Sequence, residues 1–250
     1  MKKNTDRFWE IDTLRGIAII LMVVLHILFD FNYFGIYPFK INSFPLIIFS
    51  EPARIIFLTL VGVSLYLSYS RIKDKLNNRE IFIKNLKRGL LIFSGGIFLT
   101  FLSYFLFDGR IIVFGVLHCI GISIIISYPF LKMKNFNLIT GFILVIIGYF
   151  LKTTYFSFDY LFILGFKSTS FYSFDYFPLM PWFGFVLLGI FFGKTLYPDF
   201  KPIINLPDLS KNKVVSFVSL LGRNSLKIYL LHQPILIIIF MFFLNFTGFS

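Results

Sequence analysis

Residues 7–34 read RFWEIDTLRGIAIILMVVLHILFDFNYF, and this stretch decides the fold. A charged segment runs straight into an apolar one, and about 20 apolar residues suffice to cross a bilayer as a helix. His26 and Asp30 sit inside the apolar run. Insertion scales put an ionisable group at the centre of a spanning helix at roughly 2.5 to 3.5 kcal/mol, so such groups usually mark function. Their i, i+4 spacing stacks the pair on one helical face.

The rest of the chain extends this pattern. Of its 250 residues 57% are hydrophobic and 14% charged, against about 25% charged in soluble domains. The composition is that of an integral membrane protein, and a multi-pass place in the cell membrane is expected. The basic start resembles a signal peptide, but the apolar stretch is too long and no small-residue cleavage site follows. It reads as a retained first span. The single cysteine, Cys119, excludes an internal disulfide.

Seven apolar segments are candidate spans, the fifth of them short: Leu14–Phe31, Ala53–Tyr69, Gly89–Phe107, Ile111–Leu131, Phe136–Leu151, Pro178–Leu196 and Leu226–Phe246. Asp108-Gly109-Arg110 signals a tight turn between the third and fourth. The expected fold is all-α, a polytopic bundle of about seven transmembrane helices forming one domain over residues 1–250. Charge sets its orientation. With the N-terminus cytoplasmic and the C-terminus outside, only Lys40, Arg54, Arg110, Lys152 and Lys167 fall on the outer side, as the positive-inside rule expects. The net charge of +12 therefore reflects topology, not nucleic-acid binding.

No loop is long enough for a separate soluble domain, so chemistry belongs to the bundle or its faces. The outer loop near 152–177 carries Ser157-Phe158-Asp159-Tyr160 and again Ser173-Phe174-Asp175-Tyr176. The short apolar piece between them, Leu161–Phe166, is placed at the interface or as a re-entrant segment.

All three histidines fall within spans. At 1.5 Å per residue, His26 lies roughly 18 Å from the inner edge and His118 about 10 Å from the outer edge. These are similar central depths. Histidine titrates near neutrality and can accept a proton from an attacking amine or hydroxyl. A carboxylate one turn away, Asp30, is spaced to orient it. His118 is a second polar group for the same site. His232, in His232-Gln233-Pro234, reads better as structural, because proline frees a backbone carbonyl that polar side chains can satisfy. His118 and Cys119 point about 100° apart on a helix, so no metal site is expected. Arg15, Lys87, Arg88 and Arg223 lie toward the inner face, where they suit phosphates and equally anionic lipid headgroups. Asp175, Tyr176 and Trp182 near the outer mouth offer hydrogen bonds and aromatic surface to a sugar, or simply an interfacial aromatic belt.

The string Glu10-Ile11-Asp12-Thr13-Leu14-Arg15-Gly16-Ile17-Ala18, followed by His26 and Phe29-Asp30, resembles the prokaryotic relatives of heparan-α-glucosaminide N-acetyltransferase. Supporting stretches are Gly115 to Gly121, Asp175 to Gly184, and Leu221 to Leu226 continuing through Leu231-His232-Gln233-Pro234. The resemblance implies a transmembrane acyltransferase that takes acetyl from cytosolic acetyl-CoA, its co-substrate, and delivers it to an outer-leaflet or envelope glycan. The lumenal family member resembles this chain less after the first span. There it looks to use a loop histidine, where this chain carries Tyr33 to Lys40 with none. His26 is the expected base on its own position within the span and its chemistry. The alternative function is a proton-coupled secondary transporter with a His26/Asp30 relay, against which no inverted repeat is visible. A noncatalytic membrane scaffold is a third reading. The acceptor, the acyl chain and any homo-oligomer stay open at this level.

Overall fold

The computed structural model describes residues 7–36, 44–106, 111–204 and 206–247. These form eight α-helices: α1 Trp9–Tyr33, α2 Phe44–Ile72, α3 Asn78–Leu106, α4 Val116–Ile126, α5 Asn135–Thr153, α6 Leu179–Leu196, α7 Lys213–Arg223 and α8 Ser225–Thr247. In hydrocarbon every backbone N–H and C=O must be satisfied within the segment, which leaves helices as the solution for such apolar runs. Six of the eight are long and apolar enough to cross a membrane. The chain is an all-α, multi-pass membrane protein. The expected turn at 108–110 and the histidine-free stretch at 37–40 lie outside the described residues.

The chain divides into two compact units, one of residues 1–57 with 206–250 and one of residues 58–205. In the first unit, α1 carries Glu10 and Asp12 in its first turn, where acidic groups complement the positive end of the helix dipole. It ends in a turn in which Ile36 N–H donates to the Phe31 carbonyl at 3.0 Å. Gly35 takes a positive φ of 69°, the left-handed conformation that glycine supplies at helix ends.

An additional helix, α7, packs along the start of α1. Any side-chain carbon on Gly222 would run into the Asp12 carbonyl, and one on Gly16 into the Val218 carbonyl. Small residues permit this close approach between helices in lipid. Thr13 and Ser219 share a 2.8 Å hydroxyl contact at the same crossing. Asn212 begins α7 as its N-cap, accepting from Val214 N–H at 2.9 Å. Toward the other end of α1, Phe31 and Phe34 pack against Phe240 of α8 with ring centroids at 5.1 and 5.6 Å.

In the second unit, the expected fourth span is corrected. Only Val116–Ile126, 11 residues, is α-helical, about half of what a crossing requires. Gly115 is extended at φ −84°, ψ −176°, and Pro129 opens a 3-10 turn over Pro129–Lys132. The polypeptide nevertheless runs the length of α3. Ile112 N–H donates to Ser103 Oγ at 3.0 Å, while Tyr128 Oη donates to the Asn78 carbonyl at 2.9 Å. Ser103 and Asn78 are about 37 Å apart along α3 at 1.5 Å per residue, more than the roughly 30 Å hydrocarbon core. Extended chain, short helix and 3-10 turn together run alongside α3, where a single spanning helix is expected.

The fifth expected span extends to 19 residues as α5. It packs on α6 through Gly141 and Gly184, each lying against the other's carbonyl. The connection before α6 folds back on itself: Tyr176 Oη donates to the Phe162 carbonyl at 2.5 Å, and Leu179 N–H to the Ile163 carbonyl at 2.8 Å.

Candidate active site

The first unit gathers the most ionisable chemistry within its spans. His26 is half-buried on α1, and its Nδ1 lies 2.8 Å from the Met22 carbonyl. A carbonyl oxygen only accepts, so Nδ1 carries the hydrogen and Nε2 is the basic nitrogen of the neutral ring. One helix away, His232 is held in the same manner, with Nδ1 at 2.8 Å from the Tyr229 carbonyl. The two rings meet edge to face, centroids 4.7 Å apart and planes at 83°. His232 is buried, and its Nε2 has no hydrogen-bond partner among the described residues.

Asp30 is 1% exposed. It does not orient His26 through a hydrogen bond: its Oδ1 accepts from Gln233 Nε2 at 2.7 Å, and its Oδ2 is buried without one. The Met22 carbonyl does the orienting. Gln233 Oε1 is likewise buried and unpartnered. The sequence places Asp30 one turn from His26, but rotamers direct its carboxylate across to α8. Burying polar atoms without partners costs on the order of 1 to 3 kcal/mol each, so each such exception calls for an explanation.

At the start of α1, Asp12 is 4% exposed and binds two guanidiniums. Arg15 Nη1 donates to Oδ1 at 2.8 Å, and Arg223 Nε donates to Oδ2 at 3.1 Å. Two cations on one carboxylate leave a net positive charge. Arg15 and Arg223, far apart in sequence, are thus brought together by α7, which the span pattern did not reveal.

The second unit holds the remaining candidates. His118 is buried at the third position of α4, where its Nδ1 accepts the Gly115 N–H at 3.2 Å. Phe93 and Phe114 cover its ring at 5.1 and 5.6 Å. Asp175 Oδ2 accepts the Val116 N–H at 3.1 Å, a carboxylate placed on the positive end of α4. Tyr176 is bound to the Phe162 carbonyl, and burial holds its phenol above the ordinary value. Trp182 is 2% exposed and lies against Phe177 at 4.9 Å, with Lys152 Nζ 5.4 Å from its ring. All four make their contacts within this unit.

Lys87 and Arg88 lie exposed on α3. Near the start of that helix, Lys132 Nζ donates to Asn78 Oδ1 at 2.9 Å and Lys194 Nζ to the Lys132 carbonyl at 2.8 Å. Lys73 pairs with Asp199 at 2.7 Å, which holds the lysine above and the carboxyl below their ordinary values. Among the described residues no group of three or more His, Cys, Asp and Glu is placed to hold a metal ion.

A bundle of apolar helices with paired imidazoles and a buried carboxylate inside one of its units defines a multi-pass membrane protein with an internal polar site. Residues 7–234 match the family described as heparan-alpha-glucosaminide N-acetyltransferase, catalytic, and the chain belongs to that family. It is thereby a member of a membrane acetyltransferase family. The match runs from the start of α1 to Pro234 and includes all three histidines. No curated protein and no solved structure matches the chain.

Proposed function

We propose that this protein is a cell-membrane acyltransferase that moves an acetyl group from cytosolic acetyl-CoA to a hydroxyl or amine on the outer side, with His26 as the general base. An envelope glycan or lipid-linked sugar is the acceptor class. The observation that carries the reading is the imidazole of His26, fixed by the Met22 carbonyl so that Nε2 is its basic nitrogen, in a chain of this family.

His26 accepts the proton that the acceptor loses as it attacks the thioester carbonyl, which typically contributes 10²- to 10⁴-fold. Arg15 and Arg223, gathered on Asp12, suit the phosphates of the donor, since guanidinium forks match phosphate oxygens. Arg15 precedes His26 by about 16 Å along α1 at the helical rise. A donor with anionic groups at one end and its reactive carbonyl at the other has the shape to reach both. Asp30, held by Gln233, supplies negative charge beside the site. Lys87 and Arg88, exposed on α3, suit lipid headgroup phosphates.

The test is release of free CoA thiol from acetyl-CoA by wild type and His26→Ala, with and without a mixed envelope-glycan extract. Release that requires both His26 and the extract supports the reading. Full release by folded His26→Ala overturns the assignment of the base. Substrate-dependent proton uptake by proteoliposomes without thioester consumption replaces it with the transporter.

A further inference from the structure

The base assignment leaves His232 unused, although it is the more deeply buried of the touching imidazoles. Its Nδ1 is tied to the Tyr229 carbonyl at 2.8 Å, so its basic nitrogen is Nε2. That atom is buried with no hydrogen-bond partner among the described residues. If His232 served only to satisfy a carbonyl beside Pro234, nothing would require it to lie edge to face with His26 at 4.7 Å. A leucine would fill the space without leaving a buried acceptor bare.

Two further acceptors lie unpartnered next to it in sequence or on the facing helix. Gln233 Oε1 follows it on α8, and Asp30 Oδ2 belongs to the carboxylate that Gln233 holds. The cluster offers acceptors, and what complements it is a group that brings a hydrogen. Neighbouring imidazolium charges repel, so the pair is suited to hold one proton at a time.

We infer that His232 is a second proton-accepting residue of the transfer reaction, sharing with His26 the single proton that passes from the acceptor to the departing thiolate. The inference rests on the acyl-transfer reading. As the acceptor's nitrogen or oxygen bonds to the thioester carbonyl carbon, its proton passes to an imidazole Nε2. The C–S bond then breaks with its electron pair on sulfur, and the imidazole pair returns the proton to that thiolate. Nothing is oxidised or reduced, and both rings end neutral. Two bases give the proton two Nε2 atoms on which it is held between leaving the acceptor and joining the thiolate.

The experiment uses the full chain in lipid nanodiscs, with acetyl-CoA and envelope-glycan extract, and compares wild type, His232→Asn, His26→Asn and the double variant. His232→Asn retains a side-chain N–H for the Tyr229 carbonyl but removes the basic nitrogen. Expected is a loss of turnover of about 100-fold or more, with KM for acetyl-CoA and the melting temperature retained. Groups that act on one proton are non-additive, so the double variant falls little below His26→Asn. His232→Leu, which deletes the carbonyl bond as well, adds a drop in melting temperature. Turnover of His232→Asn within about twofold of wild type overturns the inference and leaves the acyl-transfer reading standing. A multiplicative double variant, or a loss that follows the melting temperature, overturns it equally. Absence of thiol release by the wild type overturns the acyl-transfer reading and this inference with it. If His232→Asn does not fold, His232→Gln takes its place under the same criteria.

Discussion

His26 and His232 meet edge to face with ring centroids 4.7 Å apart, each with its Nδ1 turned back onto a carbonyl of its own helix. The arrangement fixes both tautomers by the same device, and it makes Nε2 the basic nitrogen of each ring. His26→Asn keeps a donor for the Met22 carbonyl and removes the base. Its turnover is expected to fall 10²- to 10⁴-fold while acetyl-CoA binding persists. Isothermal titration together with thiol release checks both halves, and a simultaneous loss of binding contradicts a purely basic role.

Asp30 depends on Gln233. Replacing Gln233 by leucine leaves the whole buried carboxylate without its amide donor. A hydrogen bond to a charged group is worth about 1.5 to 3 kcal/mol, so unfolding in mixed detergent is expected to shift by that order. Unchanged stability contradicts an ionised Asp30.

The crossing of α1 and α7 is sensitive to one carbon. Gly222→Ala places a methyl against the Asp12 carbonyl, and overpacking costs about 1 to 3 kcal/mol. The variant is expected to melt earlier and to bind acetyl-CoA more weakly, because Arg223 leaves Asp12 when α7 is displaced. A melting temperature equal to wild type contradicts the packing described.

Asp175 caps α4 from a distant loop. Asp175→Ala is expected to cost about 0.5 to 2 kcal/mol, the range of a lost helix cap, while Asp175→Asn keeps an oxygen for the Val116 N–H and recovers most of it. Thermal unfolding separates the two. Equal melting of all three proteins contradicts the cap.

The membrane-spanning helices are legible in the sequence because hydrophobic length is a local property. His26 and Asp30 are legible for the same reason, since a polar residue in an apolar run is visible without knowing its neighbours. Partners are not. Gln233 and Asp30 are 203 positions apart, and only the rotamer of Asp30 decides between His26 and Gln233. The helix α7 escapes the span pattern because its 11 residues are too few to cross and set Ser216, Ser219 and Gly222 at every third position among apolar ones, an amphipathic stripe. Ile111–Leu131 reads as one apolar run, yet Gly115 and Pro129 bound the helix within it. Trp182 and Tyr176 have the composition of an interfacial belt, and burial within their own unit could not be read from composition.

Transmembrane delivery is the central claim, and sealed proteoliposomes test it most directly. Radiolabelled acetyl-CoA is placed on the side of the basic ends and envelope-glycan extract on the other, and the label on the glycan is counted for wild type and His26→Asn. The account predicts His26-dependent label on the far-side glycan while the acetyl-CoA remains confined. Label that forms only when donor and acceptor share a compartment, or that forms equally without His26, contradicts it.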